Sequence, residues 1–498
     1  MTAILLNLIS GETETTKINH IIEEGAKSRL TDLQFLQREI ADWRSSPERQ
    51  WQIIGERYYG GDHDIMLRKR TTIDEDGDLK EIENLPNNRI VDNQYARMVN
   101  QKVNYSFAKP FSFGTKNKAY ATELRRIFNN QWFITLRNVA EDSFNGGIGW
   151  VYVYYSQSGE LRFQRFESYE VRPLWQDSDH TKLDAVIRLY EVVSYTGSVP
   201  AIQEHVEVYT LEGVYKYLLT NGVLYPEQIP FEPYLTLGDE VFKWKVIPII
   251  PFKRNNKEQP LIKEVKSLQD GINLMHSTFA NNLEEDPRNS IMVLVNYDGE
   301  NLGEFRQKLA TYGAVKVHST QDRPGGDVKT LSVDVSCENY KAVVSIFKKA
   351  LIENAQGYDA KDNRLSGNPN QLNIMSMYSD IDIDATGIEA EFQASFEQLL
   401  WFVNAHLANT GMGDYSKEDV RIVFNRNVLM NNSEIIDQCQ KSEGQISRKT
   451  ILSKHPFVED VDAELEQLKK EQQEAQEDPY SNAFAQQNEF EDIDDEQP

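Results

Sequence analysis

The chain has 498 residues, 40% hydrophobic and 26% charged, with a formal net charge of −25; that is enough ordinary globular sequence for several cores, and the wrong sign for a tight duplex-DNA binder. Residues 471–498 hold ten acidic residues and no Lys or Arg, leaving about −15 for the body, whose densest basic cluster is Arg68-Lys69-Arg70. The two cysteines, Cys337 and Cys439, exclude a disulfide framework or a cysteine zinc site, and the lack of a basic leader or of ~18 consecutive apolar residues predicts a soluble, intracellular protein with no membrane partner.

Residues 1–28 are predicted to be weakly ordered. Leu33, Phe35, Leu36, Ile40 and Trp43 then mark a helix opening at Thr31-Asp32, and a second helix follows Pro47, a favourable first-turn residue, carries Trp51, Ile54 and Tyr58, and stops at Gly60-Gly61. Asp74 to Pro86 is expected to be an acidic connector. Asn87 to Asn93 leads into a helix with Tyr95, Met98, Val99, Val103 and Tyr105, and helical sequence continues through Trp132 and Phe144. Strands are predicted at Gly149–Tyr155 and Leu161–Phe166, and alternation over Ala185–Val193 and His205–Tyr209, with an Asn221-Gly222 turn, extends a mainly antiparallel sheet towards Pro251. This half is α+β.

From Leu261 the pattern changes. Leu261, Val265, Leu268, Ile272, Met275, Phe279 and Leu283 form one apolar stripe at helical period, ended by Pro287. A compact insert follows, with Ile291–Val295 and Ala314–Val317 as strands, Phe305–Leu309 as a helical turn, and Asp298-Gly299 and Pro324-Gly325-Gly326 as turns. A second helix begins near Ser336 with Tyr340, Val343, Val344, Phe347 and Leu351 on one side and Gly357 as its capping glycine. Gly357–Asn373 is polar and turn-prone, and is expected to be a mobile loop. A long helix runs from Ile374 to Asn409, a strand from Val420 to Phe424, a helical region from Ser433 to about Gln476, and a disordered acidic tail closes the chain.

No catalytic pattern accompanies these elements. There is no Gly-Lys dipeptide for a phosphate loop, no zinc-protease motif and no nucleophile elbow. Gly146-Gly147-Ile148-Gly149 lies between a helix and a strand, the reverse of the dinucleotide order, and reads as a tight turn. Asp380, Asp382, Asp384 and Glu391 imitate calcium-loop spacing, but Ala385 stands where that loop needs glycine, so they read as solvated or channel-facing carboxylates. His63, between Asp62 and Asp64, reads as part of a surface turn, and the aromatic strands around Tyr152–Phe166 as a packed sheet. No residue is assigned to catalysis, a cofactor or a metal.

Tyr58-Tyr59-Gly60-Gly61-Asp62-His63-Asp64-Ile65, then Asn87 to Asn93 and Lys102 to Pro110, with helix, β-rich insert, helix, loop and long helix following in order, resemble the portal proteins of long-tailed double-stranded-DNA bacteriophages. The resemblance implies a portal-like α+β fold: residues 29–260 and 374–431 as wing, 261–286 and 336–356 as stem helices, 287–335 as a small β-rich clip, 357–373 as tunnel loop, and 432–476 as helical crown, with the tail from 477 unassigned. It implies a ring, a dodecamer in that family, at a unique capsid vertex of the virion, assembled in the host cytoplasm. DNA would be packaged and ejected through its channel without sequence specificity. Partners would be the terminase motor, a head-completion adaptor, and the major capsid and scaffolding proteins. Gly357, Lys361, Asn363, Arg364, Gly367 and Asn368 would face DNA, and Arg306, Lys308 and Arg323 of the clip would meet the docking partners.

The residues agree with that role on two counts. Helices of 25 and 36 residues span about 38 and 54 Å, suited to a tall channel, and an acidic body avoids the phosphate neutralisation that would stall sliding DNA. Lys361 and Arg364 are better explained as solvated loop charges than by transient phosphate contact. The competing readings are another ring-forming tail or baseplate component, which would lack this order of elements, and an intracellular hydrolase, which would need a nucleophile, base and metal constellation absent from the sequence.

Overall fold

In the computed structural model, the described residues are 32–73, 78–81, 85–156, 158–196, 199–237, 240–285, 291–295, 327–331, 337–359, 371–426, 432–455, 457–458 and 461–477. They fall into two compact units, one of residues 1–357 and 380–427, the other of 358–379 and 428–498.

The first unit opens with α1 (Leu33–Ser45), started by the Asp32 side chain accepting from the Gln34 amide, and α2 (Pro47–Tyr59), capped by Ser46 with proline in its first turn. A short strand β1 (Thr71–Ile73), just before the expected acidic connector, pairs antiparallel with β2 (Leu79–Glu81), which lies within it. α3 (Gln94–Phe107) follows with Asn93 as its cap, then β3 (Ser112–Gly114), α4 (Lys118–Ile127) and α5 (Asn130–Gly146). Gly147, at φ +83°, ends α5 in the left-handed conformation, and a Cβ there would lie 2.1 Å from the Glu258 carbonyl oxygen. The glycine cluster is therefore the tight helix-to-strand turn expected of it.

The strands do not form the single sheet predicted. β4 (Ile148–Tyr155) and β5 (Leu161–Phe166) pair with the later strand β13 in a three-stranded sheet, order β13-β4-β5. A separate five-stranded antiparallel sheet has the order β10-β9-β8-β7-β6, from β6 (Val171–Trp175), β7 (Leu183–Thr196), β8 (Val199–Tyr209), β9 (Val214–Thr220) and β10 (Val223–Glu232). The β9–β10 turn is Asn221-Gly222, both at positive φ, as a tight hairpin requires. A small hairpin, β11 (Leu235–Leu237) and β12 (Glu240–Phe242), precedes β13 (Ile249–Lys253). α1 covers the five-stranded sheet, packing Phe35, Leu36 and Ile40 against Leu189, Val206, Tyr217 and Leu224.

Two helices, α6 (Ile262–Glu285) and α7 (Cys337–Asn354), flank a two-stranded element, β14 (Ile291–Val295) paired with β15 (Asp327–Leu331). The predicted strand Ala314–Val317 and turn Phe305–Leu309 lie outside the described residues. The long helix α8 spans Gln371–Asn409, and β16 (Arg421–Val423) returns to pair with β3. The main core gathers α3, α4, α5, β4, β13, the start of α6 and the C-terminal part of α8. At its centre Phe396 is fully buried among the rings of Phe111, Phe128, Trp132, Phe252 and Phe424, so Phe396→Ala would cost about 3–5 kcal/mol.

In the second unit the helical C-terminal region resolves into α9 (Asn432–Lys441), α10 (Arg448–Leu452), capped by Ser447, and α11 (Val461–Glu477). Cys439 is buried there with its thiol directed at the Ile451 carbonyl. Among the described residues no helix is long and apolar enough to cross a membrane.

Candidate functional site

α6 and α7 lie antiparallel. Gly271 faces Phe347, and eight residues further along α6 the ring of Phe279 stacks on Tyr340 at 4.0 Å. A Cβ on Gly271 would come within 3.0 Å of the Phe347 ring, so glycine sets the closeness of the pair there. The predicted apolar stripe is buried at Leu261, Val265 and Ile272, but Leu283 at its end is 55% exposed. From Gln269 onward a polar row shares the buried face of α6. Gln269, Asn273, Ser277 and Asn281, four residues apart, are each at most 2% exposed.

Three of these side chains hold an extended segment along the helix, and the fourth meets the first turn of α3. Asn281 Oδ1 accepts from the Asn88 amide at 2.7 Å, Ser277 Oγ from Ile90 at 2.9 Å, Asn273 Oδ1 from Asp92 at 3.0 Å, and Gln269 Oε1 from Tyr95 at 2.9 Å. Gln269 Nε2 also donates to the Asp92 carbonyl at 2.7 Å. From Asn88 to Asp92 the match has a metric basis: four residues of helix advance ~6.0 Å, and two residues of extended chain advance ~6.6 Å. A segment that forms no sheet thus has its amides satisfied by a side-chain ladder.

The run from Tyr58 to Asp64 meets the same helix. His63 is fully buried, contrary to its reading as a surface turn. Its ring stacks on Tyr58 at 4.3 Å; Nδ1 lies 2.7 Å from the Asn273 amide nitrogen and Nε2 lies 2.9 Å from the Tyr58 carbonyl. Because the Asn273 nitrogen can only donate, Nδ1 accepts and Nε2 carries the proton, so the ring is the neutral Nε2–H tautomer. Burial lowers its pKa below the ordinary value, outweighing the Tyr58 carbonyl that favours the charged ring. The Tyr58 hydroxyl donates to Asp270 at 2.5 Å, and Lys266 bridges Asp64 and Asp270 at 2.6 and 2.7 Å. Asp92 joins both helices: its carboxylate takes Lys348 of α7 at 2.6 Å and His276 of α6 at 3.2 Å. Although burial opposes its charge, Lys348 and Gln94 hold Asp92 below the usual carboxylate range.

The end of α7 is also pinned. Gln356, at φ +51°, takes the left-handed position expected of glycine. The Gly357 amide bonds the Ile352 carbonyl and the Gln356 amide the Glu353 carbonyl, a paired closure of the last turn. A Cβ on Gly357 would lie 2.8 Å from Met98 Sδ and 2.9 Å from Gln101 Oε1, so those side-chain ends would have to shift to admit it. The ammonium of Lys102, 1% exposed, donates to the Gln356 carbonyl at 3.2 Å and to Asp384 of α8 at 2.6 Å. Burial lowers the Lys102 pKa against the opposing pull of Asp384. Tyr105 donates to Asp382 at 2.9 Å, and Arg426 contacts Asp382 and grips Glu389 with two bonds of 2.9 Å.

The expectation of solvated or channel-facing carboxylates is corrected at Asp384, 14% exposed and paired with the buried Lys102; Asp382 is paired with Arg426 yet remains half-exposed. Among the described residues one acidic trio, Glu56, Asp142 and Glu167, has metal-like spacing. Arg165 already joins Asp142 at 2.7 Å and Glu167 at 2.8 Å. Of the six predicted loop residues, Gly357 is described as above; Lys361, Asn363, Arg364, Gly367 and Asn368 lie outside the described residues, as do Arg306, Lys308 and Arg323. Sequence reasoning did not identify the α6 ladder, Lys102 or Asp92. The four-residue spacing of Gln269, Asn273, Ser277 and Asn281 was the signal available for the first.

The family described as phage portal protein, SPP1 Gp6-like, matches residues 52–478 of the chain, a span that contains the ladder, the helical hairpin with its insert, and α8. The portal protein of Bacillus phage SPP1 is 27% identical over 470 residues, covering 93% of this chain and 91% of that protein. The portal protein of Clostridium phage phiCD119 is likewise 27% identical, over 439 residues, covering 86% of this chain and 94% of the relative.

Proposed function

The chain belongs to the SPP1 Gp6-like family of phage portal proteins, and we propose from that membership how its described parts serve a portal. It is a structural component of a phage capsid, part of the ring-shaped portal channel used in DNA packaging. The observation that carries this is the family match over residues 52–478, which takes in the whole strapped hairpin.

In this reading α6 and α7 are the stem that lines the channel, and the β14–β15 element with the residues between is the clip, where the packaging motor and later a head-completion protein dock through Arg306, Lys308 and Arg323. Residues 357–373, with Gly357, Lys361, Asn363, Arg364, Gly367 and Asn368, face the DNA, which passes without sequence-specific contact. The five-stranded sheet with its helices is the wing, α9–α11 are the crown, and twelve copies close the ring, which assembles in the host cytoplasm with scaffolding and major capsid proteins. The ladder supports the stem assignment: a helix that guides a moving polymer needs fixed lateral support, and one hydrogen bond per turn supplies it. Capsids assembled with this protein should fill with DNA when motor and ATP are added, and capsids lacking it should stay empty. Equal filling of the two would refute the reading.

A further inference from the structure

Within the five-stranded sheet, one element is left without a packing partner among the described residues. β7 and β8 pair from Val186 opposite Tyr209 to Thr196 opposite Val199, but β8 pairs with β9 only over Glu204–Tyr209 and β6 pairs with β7 only as far as Arg188. Residues 192–196 and 199–203 therefore leave the five-stranded sheet as a two-stranded finger, about 17 Å long at strand rise.

The finger carries apolar groups on both faces. Val193 lies opposite Ile202, and Tyr195 opposite Pro200, on the face that elsewhere packs beneath α1; Val192 and Val199 lie on the other. Val193, Tyr195, Val199 and Ile202 are 55%, 70%, 65% and 67% exposed. An isolated two-stranded ribbon is marginally stable in water. Among the described residues no strand pairs with the outer edge of β7 from Leu189 to Thr196, and that edge carries neither Lys nor Pro, the usual protections against strand addition.

Charge indicates the occupant. No residue from Val192 to Gln203 is charged, in a chain whose net charge is −25. Identical acidic copies repel one another, so contact between them favours the segments that carry no charge. A basic docking partner, by contrast, would be met by acids, and here acids occur only at the base of the finger, as Glu191 and Glu204, the latter paired with Arg44.

We propose that the finger packs against the adjoining copy of this chain, its apolar faces buried between neighbours. The proposal rests on the ring reading above and goes further by naming the contact. In the test, Val193–Ile202 is excised and Val192 joined to Gln203 through Asn-Gly, which keeps the β7–β8 register. A milder variant, Tyr195→Thr with Ile202→Thr, retains strand-forming residues. Light scattering and mass photometry across a concentration series, with circular dichroism as the fold control, should show native far-ultraviolet spectra. The concentration for half-assembly should rise at least tenfold in both variants relative to the wild type. Closed rings at the wild-type concentration in the folded milder variant would overturn the proposal even if the excision misfolds. Normal rings that fail only to join capsid shell or scaffolding protein would also overturn it, assigning the finger to the shell. A wild-type chain that forms no ring would instead refute the underlying ring reading.

Discussion

Replacing Lys102 with Met removes the ammonium that joins the end of α7 to α8 while leaving most of the buried stem in place. The loss leaves Asp384, whose side chain is 14% exposed, without its partner at 2.6 Å, and takes a donor from the Gln356 carbonyl. Breaking a buried ion pair from one side costs about 3–5 kcal/mol, and the residual exposure of Asp384 puts the expectation at the lower end, about 3 kcal/mol. Removing both charges in Lys102→Met with Asp384→Leu should restore most of it, because neither side chain is then left buried and unpaired. Hydrogen exchange at the Ala355, Gln356 and Gly357 amides, measured at one fixed protein concentration, reads the clasp directly. About 3 kcal/mol corresponds to roughly a hundredfold faster exchange in the single variant, with near-native protection in the double. Unchanged protection in Lys102→Met, or a double variant no better than the single, would refute the account of this joint.

Three further outcomes follow from the same geometry. Asn273→Leu deprives the Asp92 amide of its acceptor and His63 of its donor, two buried groups at about 1–3 kcal/mol each, so denaturant unfolding should show a loss of about 2–6 kcal/mol; a change below ~0.5 kcal/mol would place the segment's stability elsewhere. The depressed pKa of His63 means its contribution is fully present above its ordinary value of 6.5 and is lost as pH falls below it, so the wild type should lose more melting temperature between pH 7 and pH 5 than His63→Gln, and parallel curves would contradict the buried neutral ring. Truncation after Gln476 removes residues that contain eight of the ten tail acids and few apolar groups to offset an ordering cost of about 1–2 kcal/mol per residue; ring size by light scattering should not change, and collapse to monomers would show that the tail packs between copies.

Local rules made much of the fold legible. Asp32 and Pro47 marked helix starts, Gly147 a helix end, Asn221-Gly222 a hairpin, and the stripe from Leu261 to Ile272 the buried side of α6, because each depends on neighbours within a few residues. The missed features depend on distant ones. Gln269, Asn273, Ser277 and Asn281 look like a solvent face until the backbone of residues 88–95 is laid against them. Asp382 and Asp384 look free until Lys102, Tyr105 and Arg426 arrive from elsewhere in the chain. β4 could not be separated from the larger sheet without its partner β13, about a hundred residues later. At the end of α7 the sequence pointed one residue too far, because the left-handed position falls on Gln356, at φ +51°, and not on Gly357. The channel assignment came from resemblance across the whole order of elements, and local chemistry contributed mainly by offering no competing active site.

The most direct measurement of the central claim is electron cryomicroscopy of the purified full-length protein. The account predicts a closed ring with a central hole wide enough for duplex DNA, α6 and α7 of each copy around the channel, and the 88–95 segment on the side of α6 turned away from its axis. A particle without a central channel, or a ring in which the five-stranded sheet lines the hole and the α6–α7 hairpin lies at the periphery, would contradict it.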